Sequence, residues 1–505
     1  MEHNSFIFTV RKWLYQAKQR HNIYALSGNL RGFLDPLPSS TARGYNGRMS
    51  ESSTYADVTV ELPAYALAAL DTLEASGFEA WCVGGCVRDA ILGRNVNDYD
   101  IATSAQWTDV ERVLTAAGFA IHRTGIKHGT VTASLDGHAM EITTYRSDGE
   151  YSDGRHPDSV EFVSSIEEDL ARRDFTINAL AYHPSRGLLD CWGGLDDIDN
   201  KVIRAVGDPD KRFCEDALRI LRGCRFASQL GFRLDSSTKQ AMWARKMRMT
   251  HVSSERITHE LTELLLGEHV HDALMECIDI ISAVLPELVA MKKFEQHTPY
   301  HIYDVWEHTA WVVQYSSRTP LARWAALFHD SGKPGAFFMD GDRGHFFGHP
   351  LLSVDVTRGA LARLTLSPVF VADVLTLVRL HDRQIPAEPK KVKRALAELG
   401  GDVELFRTLI DLKRADAMAQ SSLSEPRIQL ASDLEAVLAD VLAADDAFTL
   451  GQLTINGSDI IALGLTEGPE VGEILKQALD AVIDERIPNE RDALLKLAAE
   501  IAGKR

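Results

Sequence analysis

Two stretches decide the fold of the first part of the chain: Gly84-Gly85-Cys86-Val87-Arg88-Asp89, and then Asp98-Tyr99-Asp100-Ile101-Ala102-Thr103. The apolar run Ala80–Val83 precedes the two glycines and is typical of a buried strand. Two glycines after a strand allow backbone N–H groups to approach a triphosphate closely, and Arg88 can offer forked donors to its oxygens. The first stretch therefore predicts a strand, a glycine turn and a helix that bind a nucleotide.

The second stretch has two aspartates separated by one tyrosine in a predicted strand. Because successive side chains of a strand point to opposite faces, Asp98 and Asp100 leave the same face. Such a pair can hold two Mg²⁺ ions about 4 Å apart, as in-line phosphoryl chemistry requires. Glu141, on a later predicted strand, is either a third carboxylate or a solvated residue. Either pair alone would also suit a surface turn, but Gly-Gly followed by Asp-x-Asp predicts nucleotidyl transfer.

Helical and strand patterns alternate from residue 65 to residue 163, and after Asp208 the pattern is helical almost to the end. Breaks rich in glycine or proline at residues 332–335 and 341–350 are the main interruptions. The predicted fold class is α+β, a small α/β head followed by an elongated all-α region. Residues 1–48 are basic, and we expect a disordered extension or a start codon assigned too early, with Met49 as the true start. A transit peptide is the alternative.

The composition of the 505-residue chain restricts its class, since 45% of the residues are hydrophobic and 25% are charged. A mostly disordered chain, a collagen-like repeat and a disulfide scaffold are excluded, and the length predicts several domains. The net charge of -18 argues against coating nucleic acid through bulk positive charge, although a local arginine cluster can still hold phosphates. No apolar run is long enough for a membrane span and no secretory signal is recognisable, so we expect a cytoplasmic protein without a membrane partner.

Two further segments combine arginines with carboxylates. Arg172-Arg173-Asp174-Phe175-Thr176 offers one arginine to a phosphate, or is a capped helix start with an exposed ion pair. In residues 215–226 the helical period predicts one polar side, formed by Asp216, Arg219 and Arg222, with Arg225 at its border. A carboxylate beside a guanidinium can read the Watson–Crick edge of cytosine or adenine without a nucleic-acid template. A surface row of ion pairs is the alternative.

The second half of the chain carries several His/Asp positions near the ends of apolar helices: His308, His329-Asp330, His349 and His381-Asp382. Imidazole and carboxylate ligands suit a divalent metal that activates water. A single histidine on a helix is usually structural, but the recurrence predicts a metal site.

With these motifs, the chain from Tyr65 to Arg505 resembles the class II tRNA nucleotidyltransferases, that is, the bacterial CCA-adding enzymes and the related poly(A) polymerases. The resemblance implies Mg²⁺ at the catalytic residues Asp98 and Asp100. It also implies nucleotide-binding roles for seven further residues, of which Asp216 and Arg219 would form the template for CTP and ATP. The nucleotide-binding set is Gly85, Arg88, Arg173, Asp216, Arg219, Arg222 and Arg225.

The second half is similar to an HD domain, which implies a possible second divalent metal at four matching positions: His308, His329, Asp330 and Asp382. Asp416 in Arg414-Ala415-Asp416 competes with Asp382 for the last of these. By this resemblance the domains are an extension (1–55), a nucleotidyltransferase head (56–205), a helical neck that recognises the base (206–292), an HD domain (293–386) and a helical body or tail that binds tRNA (387–505).

The acidic C-terminal half and the HD domain favour tRNA as the substrate over poly(A) synthesis. The loop at residues 145–157 looks complete, which favours full CCA addition or A addition over the CC-adding specialists. We therefore predict template-independent addition of C, C and A from CTP and ATP. The alternatives are an A-adding enzyme, a poly(A) polymerase and, from another class, an HD-domain metal-dependent phosphohydrolase.

Overall fold

The computed structural model describes residues 55–56, 58–96, 98–148 and 160–503. The predicted extension lies outside this part up to residue 54, and so does the loop from residue 149 to residue 157. Within the described residues no helix is both long and apolar enough to cross a membrane.

The head contains ten strands, eight of which form one sheet in the order β1-β10-β9-β2-β3-β6-β5-β4, while β7 and β8 pair separately. The strands are β1 (Tyr55–Ala56), β2 (Ala80–Val83), β3 (Tyr99–Thr103), β4 (Ala120–Gly125), β5 (Thr130–Leu135), β6 (His138–Thr144), β7 (Arg146–Asp148), β8 (Val160–Phe162), β9 (Leu180–His183) and β10 (Gly187–Asp190). Only β3 and β6 are parallel neighbours in this sheet. Strand patterns at residues 80–83, 98–102, 130–135, 139–145 and 160–163 predict β2, β3, β5, β6 and β8, whereas no pattern predicts β1, β4, β7, β9 or β10.

Helices of the head cover the sheet: α1 (Ala64–Ala75), α2 (Gly85–Ile91), α3 (Trp107–Ala116), α4 (Ile166–Ala171) and α5 (Gly194–Asp199). The predicted amphipathic helix after Tyr65 is confirmed as α1, which buries Ala66, Leu70 and Leu73. All four residues of β2 are buried, as expected for a central strand with both faces covered.

The chain is helical from residue 209 onward, as predicted, with two short pairs of strands as exceptions. The helices are α6 (Pro209–Glu215), α7 (Leu218–Leu230), α8 (Ser236–Arg245), α9 (Ser254–Leu265), α10 (Val270–Ile281), α11 (Val305–Tyr315), α12 (Pro320–Phe328), α13 (Lys333–Ala336), α14 (His349–Leu361), α15 (Pro368–Leu380), α16 (Pro389–Glu398), α17 (Val403–Met418), α18 (Glu425–Ala443), α19 (Gly457–Ala462), α20 (Pro469–Ile483) and α21 (Arg491–Gly503). The α+β fold class is thereby confirmed.

The first pair of strands joins a strand that precedes this helical region to one within it, and the second pair lies wholly within it. β11 (Val202–Ile203) pairs in parallel with β12 (Arg233–Leu234), which ties the end of the head to the segment after α7. β13 (Phe338–Asp340) and β14 (Arg343–His345) form an antiparallel hairpin within the predicted breaks. The glycine at position 341, with φ of 58°, allows the tight turn of this hairpin.

Candidate functional site

The end of β2 and the start of β3 lie at the same edge of the sheet, because the two strands are antiparallel and Cys82 pairs with Ile101. Gly84 follows β2 with φ of 80°, and α2 begins at the next residue. A Cβ atom at Gly84 would lie 2.7 Å from Nη1 of Arg173. This turn therefore requires glycine, both for its backbone conformation and for the close approach of the guanidinium.

The same edge brings three carboxylates together. Asp98 is exposed just before β3, while Asp100 is partly buried on β3 and pairs in register with Glu141 on the parallel strand β6. Burial raises the pKa of Asp100 from 3.8 to about 6; Arg173 opposes this, and the charges of Glu141 and Asp98 add to it. We call Asp98, Asp100 and Glu141 the carboxylate edge. A divalent cation fits here, because its charge would offset both the burial of Asp100 and the mutual repulsion of the three carboxylates.

Arg88 and Arg222 are joined by a chain of hydrogen bonds that the sequence motifs did not reveal. Arg88 donates to Asp89 at 2.8 Å and to the side-chain oxygen of Asn178 at 2.5 Å. The Asn178 amide donates to Asp174 at 3.2 Å, and Asp174 also accepts a hydrogen bond from Nε of Arg222 at 2.7 Å. Burial alone would raise the pKa of Asp174, but Arg222 holds it well below the ordinary value. Arg88 in the predicted head and Arg222 in the predicted neck thus belong to one polar network.

Arg173 is fixed by a buried carboxylate. Both Arg172 and Arg173 form ion pairs with Asp169, at 2.7 and 3.3 Å, and Asp169 is 1% exposed. The two arginines follow α4, so the alternative of a capped helix start with an exposed ion pair is wrong. Asp169 holds the Arg173 guanidinium beside Gly84 and the carboxylate edge.

Asp216 and Arg219 do not share one helix face, and that part of the prediction is wrong. α6 ends at Glu215 and α7 begins at Leu218, with Asp216 between them in an extended conformation. Asp216 accepts a hydrogen bond from the backbone N–H of Leu218 and pairs with Arg256 of α9 at 2.8 Å.

Arg219 is oriented by other partners. Its Nη1 pairs with Glu215 at 2.8 Å, and its Nη2 donates to the carbonyl oxygen of Arg172 at 2.8 Å. Because Arg172 precedes Arg173 in the head, this bond connects the start of α7 to the segment that carries Arg173.

Three guanidinium groups surround one aromatic ring. The Cζ atoms of Arg88, Arg222 and Arg225 lie 5.2, 5.4 and 4.6 Å from the centre of the Phe226 ring. Glu260 of α9 is 3% exposed and pairs with Arg225 at 3.2 Å. Phe226 is the last residue of the segment 215–226, but no sequence pattern predicted that it would contact Arg88. Glu260 belongs to no motif, so no sequence pattern indicated its role.

A second set of side chains converges among the helices α11 to α17. We call it the His–Asp cluster; its members are His308, His329, Asp330, His349, His381 and Asp416. They form two groups, His308/His329/Asp416 and Asp330/His349/His381, each with ligand atoms within 4.8 Å of one another. All six are buried.

Asp330 lies between the two groups. One of its oxygens, Oδ2, is 3.4 Å from Nε2 of His308 and 3.2 Å from Nε2 of His329. The other, Oδ1, is 3.3 Å from Nε2 of His349 and 3.5 Å from Nε2 of His381. Each carboxylate oxygen thus faces its own pair of imidazoles.

The histidines of the cluster have Nδ1 next to backbone carbonyl oxygens of Ala419, Ala326, Phe346 and Val378, at 3.1, 2.7, 2.9 and 2.7 Å. A carbonyl oxygen only accepts, so Nδ1 carries the proton and Nε2 of a neutral ring presents a lone pair. Two such nitrogens face each other at 3.3 Å and two at 3.1 Å, where neither can donate. Buried lone pairs that converge in this way fit a metal ion.

Asp382 does not belong to this cluster, which corrects the predicted set. Asp382 is exposed, whereas Asp416 is 5% exposed and its Oδ1 lies 3.2 Å from Nε2 of His308. Asp416 is further held by Arg427 at 2.6 Å. Asp382 directly follows His381 after the end of α15 and is in neither group of ligands, although it lines the adjoining cavity of about 550 Å³.

Three family descriptions match the chain. "Poly A polymerase head domain" matches residues 80–204, "Probable RNA and SrmB-binding site of polymerase A" matches residues 231–291, and "tRNA nucleotidyltransferase domain 2 putative" matches residues 422–498.

Curated relatives match over most of their length. The CCA-adding enzyme of Lactiplantibacillus plantarum is 33% identical over 461 residues, which cover 88% of this chain and 98% of that enzyme. The CCA-adding enzyme of Geobacillus kaustophilus is 33% identical over 446 residues, 85% of this chain and 95% of that enzyme.

A solved structure is also similar: the Bacillus stearothermophilus CCA-adding enzyme in complex with CTP. It has a TM-score of 0.67 and 29% identity, and the match covers 87% of this chain and 97% of that one. The Thermotoga maritima CCA-adding enzyme complexed with tRNA has a TM-score of 0.53 at 19% identity and supports the fold alone.

Proposed function

Because the chain belongs to the family of CCA-adding tRNA nucleotidyltransferases, we propose that it adds C, C and A to the 3' end of tRNA from CTP and ATP. The observation that carries this proposal is the carboxylate edge beside the Gly84 turn. In the proposed reaction the 3'-hydroxyl of tRNA attacks the α-phosphate, and pyrophosphate leaves. Asp98 and Asp100 would hold Mg²⁺, which supplies activation of the attacking oxygen and charge stabilisation of the leaving group.

The residues of the chain would orient the nucleotide around this edge. The start of α2 at Gly85 offers backbone N–H groups to the triphosphate, and Arg173, held by Asp169, adds a positive charge. Arg88, tied to Asn178, positions the turn rather than swinging freely.

Base selection is proposed for the segment between α6 and α7. Asp216 supplies an acceptor and Arg219 supplies donors for the amine and ring nitrogen of cytosine or adenine. Arg256 and Glu215 hold these two side chains in place, so that the protein and not a nucleic-acid strand acts as the template. Arg222 and Arg225, whose guanidinium groups pack against the Phe226 ring, would contact the nucleotide as well.

The test is single-nucleotide extension, in Mg²⁺, of three tRNA transcripts that end before CCA, after C and after CC. Incorporation of C, C and one A is expected; A addition to the CC-ended transcript alone would make the protein an A-adding enzyme, and an unlimited A ladder a poly(A) polymerase. Asp98→Ala should abolish extension while tRNA binding, measured by gel shift, remains. The matched control is Asp109→Ala, which removes a half-buried carboxylate of α3 that pairs with Arg112.

A second candidate function is metal-dependent phosphohydrolysis at the His–Asp cluster, favoured by the convergent Nε2 atoms. His308, His329 and Asp416 would hold one divalent ion and Asp330, His349 and His381 a second, and such ions supply an activated water for attack on a phosphoester. Phosphate release in Mn²⁺ or Ni²⁺ should be lost in His329→Ala and retained in Asp98→Ala. Loss in both variants, or in neither, would contradict an independent site.

The proposed substrates define the partners and the place of action. We propose tRNA, CTP and ATP as the ligands, with no membrane partner, and a cytoplasmic location where these substrates occur together.

A further inference from the structure

We propose that the hairpin β13–β14 and the residue Phe347 form a base-stacking platform that selects nucleotides as the phosphoester ligands of the His–Asp cluster. This inference rests on the second candidate function and names its substrate class. We call the side chains of Phe338, His345 and Phe347 the aromatic platform.

The three rings form a contiguous cluster at the surface, in which Phe338 and Phe347 lie 5.6 Å apart between ring centres and are tilted at 41°. Phe338 and His345 lie 5.3 Å apart between ring centres, His345 and Phe347 lie 5.3 Å apart, and both pairs are stacked. Phe338 is 45% exposed and Phe347 is 76% exposed. Large aromatic side chains are seldom left in water in this number unless they bind something.

The platform opens onto the cluster. His345 and Phe347 line the same cavity as Asp330, His349 and His381. Phe347 is only two residues before His349, so their Cα atoms lie within about 7 Å of each other. A ring stacked on Phe347 therefore lies within the length of one nucleotide from the atoms that would act on its phosphate.

The cavity is lined by Lys333, Arg343 and Arg427 as well as by the carboxylates of Asp330, Asp382 and Asp416, so an anionic group would find cations beside acidic side chains. Lys333 pairs with Asp330 at 2.6 Å, and Arg427 pairs with Asp416 at 2.6 Å. Arg343 of β14 lines the cavity and makes no ion pair with any residue that the structure describes. Aromatic faces beside arginines are the means by which proteins hold single nucleotides or RNA ends without reading a sequence.

The same surface includes the exposed residues Met339, Leu351 and Leu352, which could suit a protein partner. A nucleotide is favoured, because the rings are stacked and adjoin cations and metal-ligating groups rather than a wide apolar face. A second copy of the chain is the competing occupant, and the test includes it.

The experiment compares AMP with ribose 5-phosphate, which has the same phosphate and no base. Binding to the full chain is measured by calorimetry, with Mn²⁺ and with EDTA. Phe347→Ala should weaken AMP binding about 5- to 100-fold more than it weakens ribose 5-phosphate binding. Phe347→Trp should restore AMP binding, and Val369→Ala, which removes a 71% exposed side chain that does not line the cavity, should change nothing. Any binding of AMP at the head is common to all variants.

Equal affinity for the two ligands, or an unchanged AMP affinity in Phe347→Ala, would overturn the platform. A dimer in light scattering that dissociates in Phe347→Ala would also overturn it, in favour of an interface between copies. If Phe347→Ala loses the preference for AMP but the wild type releases no phosphate, the platform is supported and the hydrolase function is refuted. A short RNA with a terminal phosphate, tested beside AMP, distinguishes an RNA end from a free nucleotide as the source.

Discussion

Replacing Asp100 by asparagine should stabilise the metal-free head while it abolishes nucleotide addition. In the folded chain burial raises the pKa of Asp100 from 3.8 to about 6, so ionisation at neutral pH favours the unfolded state. The gap between the two values corresponds to about 3 kcal/mol at pH 7.5. Asparagine has nearly the same shape and no charge, so Asp100→Asn should recover up to about this free energy.

The sign of the effect fixes its pH dependence. Below pH 3.8 both states are protonated and the carboxyl costs nothing; between 3.8 and about 6 only the unfolded state ionises, and the cost grows. The advantage of Asp100→Asn should therefore fall from about 3 kcal/mol at pH 7.5 to roughly half of that at pH 5. Mg²⁺ should stabilise the wild type more than the variant, since a ligand stabilises only the state that binds it.

The measurement is native-state hydrogen exchange, detected by mass spectrometry on peptides that cover β2 and β3 and repeated at pH 5, 6 and 7.5. Asp98→Asn is the matched control: Asp98 is exposed, so its removal relieves only its repulsion of Asp100 and should give a smaller gain. A variant that is no more stable than the wild type, or whose gain is the same at each pH, would refute the reasoning.

Three further predictions address the network, the ring and the cluster. Asp174→Ala should lower the free energy of unfolding by about 2–3 kcal/mol, because Arg222 loses its hydrogen-bonded carboxylate and is left with the longer 3.8 Å contact to Glu260; a loss below about 1 kcal/mol in urea denaturation would contradict this. Phe226→Leu keeps the bulk but removes the π face under three guanidiniums, so the KM for CTP and ATP should rise about 5-fold or more; unchanged steady-state values for both nucleotides would speak against it. Asp416→Ala should lower the bound metal measured by mass spectrometry, whereas Asp382→Ala should not; the reverse result would restore the original ligand assignment.

Much of the head was predictable because its signals are local. A run of apolar residues, two glycines and a pair of aspartates at strand spacing predict where β2 ends, where α2 begins and which face of β3 carries carboxylates. The structure places β2 at the predicted residues, begins β3 at Tyr99, just after Asp98, and sets the exposed Glu141 beside Asp100, since β6 is the parallel neighbour of β3. The sequence could not choose between a carboxylate at the site and a solvated one, because strand order is set by distant contacts.

The neck prediction failed for a related reason. An ideal helical period placed Asp216 beside Arg219, but the chain changes direction after Glu215. Asp216 then pairs with Arg256, which is 40 residues later in the sequence. No periodicity within residues 215–226 contains that information.

The sequence by itself determined the α+β class, the nucleotidyl-transfer motif and the presence of several metal-ligating residues in the second half, because spacing and residue type are local properties. Only the tertiary structure decided that Asp416 replaces Asp382 in the His–Asp cluster and that Asp330 faces two pairs of histidines. The helices α11 to α17 bring these atoms together from residues that are more than a hundred positions apart in the case of His308 and Asp416. Which side chains converge in a core depends on how whole helices pack, and that packing is a property of the folded chain rather than of any short stretch of it.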